Sequence, residues 1–288
     1  MVFGIFVLVA GLASLFFMFN AGQLIHDKDK LVNAADAVAY SGGVMHARAL
    51  NYAAYSNRAL LANEMAVAQV VSLSSWIRFM DQHALTASTA FNCRTWWSLP
   101  AAETMARYAL LCAALAYAQP SIAQVDNAFE MAAPALIARV EVAKAALQLA
   151  QANMMIRMVP ARSQVMREVA QANFRNDGDV EVNELVDGYT LFDGAPVLAL
   201  KTKNGNERAR FADAARRSAA ADGFMNSRRW RDESLIPSCV GLNGVFNNRV
   251  DRAGGTSLIG LDEWKSIDSA SLYTYRFNGK SLRCQRRS

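Results

Sequence analysis

The stretch MVFGIFVLVAGLASLFFMFNAGQLIH, residues 1–26, decides the architecture of this 288-residue chain. With His26 neutral it holds no charged side chain, and the first formal charge is Asp27. From Met1 to Phe19 only Gly4, Gly11 and Ser14 interrupt the apolar run. A helix rises about 1.5 Å per residue, so about 20 such residues cross a ~30 Å hydrocarbon core. A secretory signal peptide needs a basic n-region and a cleavage site after a shorter apolar core, and neither is evident here. Phe3, Gly4, Ile5, Val9, Gly11, Leu15, Phe16 and Phe19 are the positions expected to meet lipid or other copies of the same helix. Gly4, Gly11, Ala10 and Ala13 admit the close backbone approach such packing needs. The plainer alternative is an ordinary single-pass anchor.

Lys and Arg flanking a membrane helix set its orientation. Lys28 and Lys30 follow the run, interleaved with Asp27 and Asp29, and nothing basic precedes it. The imbalance predicts a short basic leader ahead of Met1, removed on the cytoplasmic side so that the mature chain starts at or near Met1.

Beyond the apolar run, no proline occurs between Leu24 and Met80, so the helix is expected to continue into water. Gly42-Gly43 is its weak point, where a kink or break costs least. Asn92–Pro100 reads as an ordered loop, and Ala101–Tyr117 as a second helix ending before Pro120. Ser121 suits the N-cap of a third helix. Its apolar positions Ile122, Val125, Phe129, Ala132, Leu136, Val140, Ala143, Leu147, Ala150 and Met154 fall in steps of three and four, the mark of a bundle core. Pro134 is expected to kink that helix and Pro160 to end it. Eighteen alanines between residues 101 and 150 favour helix throughout.

After Asn173 the texture changes. Val180–Val186, Tyr189–Phe192 and Pro196–Lys201 read as short strands between Asp-Gly turns, and Glu207–Ala221 as a helix. Thr256–Leu261 and Ser271–Phe277 read as strands, with Asn278-Gly279 turning into Ser281–Cys284. Gly254-Gly255 reads as a turn. The whole is an α+β fold with boundaries at 1–25, 26–172 and 173–288: an apolar helix, a helical stalk and bundle, and a small α+β module.

Hydrophobic residues make up 53% and charged residues 19%, which excludes a disordered chain. The net charge of +5 is uneven: residues 201–288 carry 17 Lys and Arg against 9 Asp and Glu. Within that third, Arg216, Arg217, Arg228, Arg229 and Arg231 with Trp230 form a candidate surface for an anionic ligand, single-stranded nucleic acid included. Four cysteines allow three pairings. Cys93–Cys112 and Cys239–Cys284 are favoured, because each pair lies within one segment, and they point to an oxidising compartment. Zinc is disfavoured by the missing Cys-x-x-Cys spacing.

Signatures of catalysis are missing. His26, His46 and His83 are too dispersed for a local metal site. Nucleophile-elbow, Walker A and dinucleotide fingerprints do not occur. Asp177, Asp179, Glu181 and Glu184 fail the calcium-loop pattern, because Val182 and Gly188 stand where it needs Gly and Glu. No cofactor is expected.

Two stretches carry a family likeness. One runs Phe19-Asn20-Ala21-Gly22-Gln23 and then from Lys30 to Ser41. The other is Ala47-Arg48-Ala49-Leu50-Asn51-Tyr52, Asn57-Arg58-Ala59, and Asn63 to Gln69. Together they resemble the N-terminal region of the TadE/TadG-like proteins of tight-adherence (Flp) pilus assembly, over roughly residues 1–75. The resemblance implies a bacterial envelope protein, in the inner membrane before assembly and in an extracellular filament after it. Its partners would be copies of itself through the N-terminal helix, other pilus subunits or assembly proteins, and the membrane. Ile5 stands where type IV pilins carry Glu. Three roles are open: a structural pilin-like subunit or an anchored assembly factor, as the resemblance implies, or a nucleic-acid-binding surface subunit, from the arginine cluster with Trp230. None is an enzyme.

Overall fold

The computed structural model describes residues 1–90, 93, 102–175, 178, 180–183, 206–233, 248–260, 263–277 and 282–287. Two long helices come first, α1 (Val2–Ala90) and α2 (Ala102–Asn173). Then follow α3 (Asn206–Ala221), the one-turn α4 (Gly223–Asn226) and strands β1 (Trp230–Glu233), β2 (Asn248–Leu258), β3 (Trp264–Phe277) and β4 (Leu282–Arg287). The architecture is α+β, a helical protein with a small antiparallel sheet at its C-terminal end.

Several expected breaks are not there. α1 passes through Gly42-Gly43 without interruption. The reason is packing: Gly42 is buried, and a Cβ there would sit 3.1 Å from Met166 Sδ, so the missing side chain admits α2 rather than weakening α1. α2 likewise runs through Pro120, Pro134 and Pro160 as one helix. All three prolines face solvent, where water can take the carbonyl each one leaves without a donor. Against the roughly 3 kcal/mol lost per interior proline stands the packing of the helix's opposite face.

Two compact units divide the chain: Met1–Ser56 with Gln148–Leu198, and Asn57–Leu147 with Ala199–Ser288. In the first unit α1 and α2 run antiparallel. Met166 lies beside Gly42, Arg162 Nη1 is 3.2 Å from His46 Nε2, and Gln151 Nε2 donates to Ser56 Oγ at 2.7 Å. Ala49, Met155 and Met158 form its buried cluster, and Lys30 Nζ sits 4.9 Å from the centre of the Phe174 ring.

In the second unit the two helices are again antiparallel, with Arg78 bonded to Glu130 and Glu64 to Lys144. The sheet has the order β1-β2-β3-β4, every neighbour antiparallel. The core joins Val67 and Ala68 of α1, Ala212, Ala215 and Ala219 of α3, and Met225, Leu258 and Trp264, with Ile137 and Val140 of α2 packed against it. Alanines three and four apart make one flat face of α3, which lets it lie close to its neighbours.

β2 starts before the expected Thr256 and takes in Gly254-Gly255, which is strand and not turn. A Cβ on Gly254 would lie 1.9 Å from Asp268 Oδ1, and one on Gly255 would lie 3.2 Å from the Asn226 carbonyl. These glycines mark close approach within the sheet and at its margin. β3 and β4 are longer than expected, and β1 was not expected at all. Cys93 and Cys112 are disulfide-bonded, their Cα atoms 5.3 Å apart. Cys284 pairs with Tyr275 in the β3–β4 ladder, while Cys239 lies outside the described residues. Also outside them are the loop 94–100, the turns at 187–188, 193–194, 204–205 and 278–279, and the strands expected after residue 183. Residues 180–183 are neither helix nor strand.

Candidate functional site

The apolar residues of the first 26 stand on every side of α1, and no described residue covers them. Every residue from 1 to 29 is exposed. Its most apolar 18-residue window has a mean hydropathy of 2.6 and is 0% buried, which meets the length and composition of a membrane span. Phe3, Ile5, Val9, Leu15, Phe16 and Phe19 all stand more than half exposed. A Cβ at Gly4 or Gly11 would meet nothing within 4 Å. Those two glycines are seven residues apart and therefore share a helix face. Burying one large apolar side chain is worth about 1.5–3 kcal/mol, so this segment demands lipid or protein around it.

Two buried polar clusters hold the second unit together. Glu64 and Lys144 each have 1% of their side chain exposed, and Lys144 Nζ donates to Glu64 Oε2 at 2.8 Å. Trp264 Nε1 donates to Glu64 Oε1, also at 2.8 Å, and Lys144 bonds to Glu141 on its own helix. One carboxylate thus ties α1, α2 and β3 at a single point. In the other cluster Arg228 grips Asp268 by Nε at 2.8 Å and Nη2 at 2.9 Å, both side chains 5% exposed. Ser75 donates to Asp268 Oδ2 at 2.6 Å, and Ser72 shares a 2.6 Å hydrogen bond with Thr256. Arg228 also reaches Ser266 and the Phe224 carbonyl. This network docks β2 and β3 on α1.

The expected arginine surface is therefore divided. Arg228 is interior and neutralised, so it is removed from any anion-binding patch. Arg217 pairs with Asp213 at 2.8 Å and Arg231 with Asp251 at 3.2 Å. Arg216 and Arg229 are exposed, and Trp230 stacks under Arg252, whose guanidinium carbon lies 3.6 Å from the ring centre. Arg252 also lies over Phe79, on which His83 stacks. Burial first, and the Arg252 charge second, hold the His83 imidazole below its ordinary pKa. Among the described residues no group of three or more His, Cys, Asp or Glu side chains is placed to hold a metal ion.

The buried clusters were not foreseen from the sequence. A signal for one was present: Glu64 shares a helix face with Leu60 and Val67, and Lys144 one with Val140 and Leu147. A charge on an apolar stripe of each of two neighbouring helices is the pattern of a buried pair.

The segment with the exposed apolar surface is also the one with recognisable kin. Residues 1–49 match the family model for Flp pilus-assembly TadE/G-like proteins. This TadE/G-like segment spans the uncharged run, the Lys and Asp turn after it, and α1 as far as the buried Ala49. The match covers 49 of the 288 residues and leaves the rest of the chain without a family model. No curated protein and no solved structure matches the chain.

Proposed function

We propose that this chain is a structural, pilin-like subunit of a bacterial surface filament. Residues 1–25 hold it in the inner membrane until they leave lipid and bundle with the same helix of other copies in the filament core. The observation that carries the reading is the wholly exposed apolar window, of mean hydropathy 2.6, inside the TadE/G-like segment. Lipid tails are as apolar as Leu, so burial alone does not drive the transfer; close packing at Gly4 and Gly11 supplies selectivity. The rest of the chain stays outside the core, in an oxidising compartment that suits the Cys93–Cys112 bond. The role is structural rather than catalytic.

A second reading keeps the chain in the inner membrane as an anchored assembly factor. The exposed apolar window supports it equally, because an anchor needs such a span as much as a filament core does. Sheared surface filaments and membranes, each probed for the chain, separate the two. The filament reading expects the chain in the sheared fraction and its loss there on Gly11→Asp, since a charge at mid-membrane or mid-core costs about 2.5–3.5 kcal/mol or more. Filaments that lack the wild-type chain, or that carry Gly11→Asp at normal yield, would overturn it.

A further inference from the structure

β3 has an edge that the sheet leaves bare. On one side it pairs with β2 from Trp264 to Thr274, whereas on the other β4 covers only Leu272–Phe277. One hydrogen bond shows where the uncovered groups point. Gly254 lies opposite Asp268, and its carbonyl accepts from the Arg228 N–H at 2.9 Å, on the side away from β3. Opposed residues of an antiparallel pair alternate between bonding each other and turning outward. Trp264, Ser266, Asp268 and Ala270 therefore turn their N–H and C=O groups outward together, and no described residue bonds to them there. The stretch has neither a proline nor a bulge in its register with β2, two devices that blunt an edge. Beside it, within the second unit, runs a groove of about 680 Å³ lined by Val70 and Val71 of α1 and Pro134 and Ile137 of α2. The charged groups along it are already matched, Arg78 with Glu130 and Asp268 with Arg228.

A row of main-chain donors and acceptors is met by another extended main chain, and an apolar groove beside it by uncharged side chains at alternate positions. The chain itself carries a segment of that kind. Val180-Glu181-Val182 alternates apolar and charged as a strand does, yet residues 180–183 belong to no ladder and bond to no described residue. Val180 and Val182 are half-buried, while Glu181 and Asn183 are exposed. Laid antiparallel on β3 with Glu181 opposite Ile267, Val180 meets Asp268 and Val182 meets Ser266. The two β3 residues whose main chains point outward then exchange hydrogen bonds with the two valines, and the valine side chains turn to the groove. Glu181 and Asn183 lie on the outer face, where the exposed Lys265 is diagonal to Glu181. A shift of one residue would instead drive Glu181 into the groove.

We propose that the bare edge of β3 is an acceptor site for residues 180–183 of a second copy of this chain, which add a short strand in line with β4. Each copy gives one segment and receives another. Such a heterologous contact generates a ring or an open row of copies and does not close on a pair. The inference uses these two segments alone and does not depend on the filament-core reading.

Two variants of the full chain, Glu181→Cys and Ile267→Cys, are mixed in detergent, oxidised, and mapped for linked peptides by mass spectrometry. Opposed residues that do not bond each other sit about 4.5 Å apart at Cα, within disulfide reach. The expected product therefore joins the 181 peptide of one variant to the 267 peptide of the other. Val182→Cys with Ile267→Cys places the thiols on opposite faces and should give roughly a tenth of that product or less. Adding Val182→Asp to the Glu181→Cys chain brings a carboxylate into the groove and should cut the link roughly tenfold, with the far-ultraviolet circular dichroism unchanged. A 267-to-267 link as the main product, equal yield from Val182→Cys, or no link overturns the proposal. So does a chain carrying both cysteines that links only within itself. Gly11→Asp in both variants should leave the link intact; its loss there would assign the contact to the apolar helix and overturn the proposal as well.

Discussion

Replacing Lys144 with Met tests how far one buried ion pair governs the second unit. Met fills nearly the same volume, so the change removes charge and donors without opening a large cavity. Glu64 would keep the Trp264 indole N–H at 2.8 Å but lose the Lys144 cation, at 1% exposure. Glu141 would lose the same partner, yet at 45% exposure its carboxylate turns to water. Breaking a buried pair by removing one member costs about 3–5 kcal/mol. At roughly 2–4 °C per kcal/mol for a body of this size, the melting temperature should fall by about 10 °C. The companion chain, Glu64→Gln with Lys144→Met, leaves an amide oxygen for Trp264 and no buried charge, so it should recover most of the loss. Thermal unfolding followed by circular dichroism at 222 nm in detergent measures all three. A Lys144→Met chain within about 1 kcal/mol of wild type, or a double variant no better than the single one, would refute the reasoning.

Two glycines should respond oppositely to Ala: Gly254→Ala drives a Cβ into Asp268 Oδ1, 1.9 Å away, and should destabilise by about 2–3 kcal/mol, whereas Gly43→Ala meets nothing within 4 Å and should stabilise by up to about 1 kcal/mol. Both are read from melting curves. His83 has its folded pKa below the usual 6.5, so above that pH neither state carries its proton and this group adds no pH dependence. As the pH falls below 6.5 the unfolded chain protonates first and stability drops, until the folded imidazole protonates as well; His83→Gln should remove that component from a plot of stability against pH. Cys93 and Cys112 are 19 residues apart, so Cys112→Ala should cost roughly 3 kcal/mol, and unreduced peptide mapping should find that link beside one joining Cys239 to Cys284.

What the sequence made legible was set by strong local signals. The apolar run of residues 1–26, the alanine-rich helix after residue 101 and the helix near 207–221 each announce themselves by composition, and each is present. Breaks were misjudged where tertiary packing overrode a local rule. Gly42 has no side chain because Met166 occupies the space, and the prolines of α2 lie on its solvent side. Gly254-Gly255 gave the same lesson in a strand, where the absent Cβ admits the Asp268 carboxylate. None of these neighbours is near in sequence, so no window along the chain could reveal them.

The polar clusters were hidden for a related reason, and they answer a problem the apolar stripes create. Helix faces built from Ala, Val and Met offer little to distinguish one register from the next, since sliding by a heptad exchanges similar residues. Within the second unit, such a slide of α2 would set Ile137 in place of Lys144 against Glu64. That leaves a carboxylate buried without a cation, at a cost of about 3–5 kcal/mol. Trp264 adds the same constraint on β3, because its indole reaches only a Glu64 already held in place. The charged pair therefore contributes less to net stability than to the choice among near-equivalent packings. A heptad pattern shows that α1 and α2 can pair; Glu64 and Lys144 decide where.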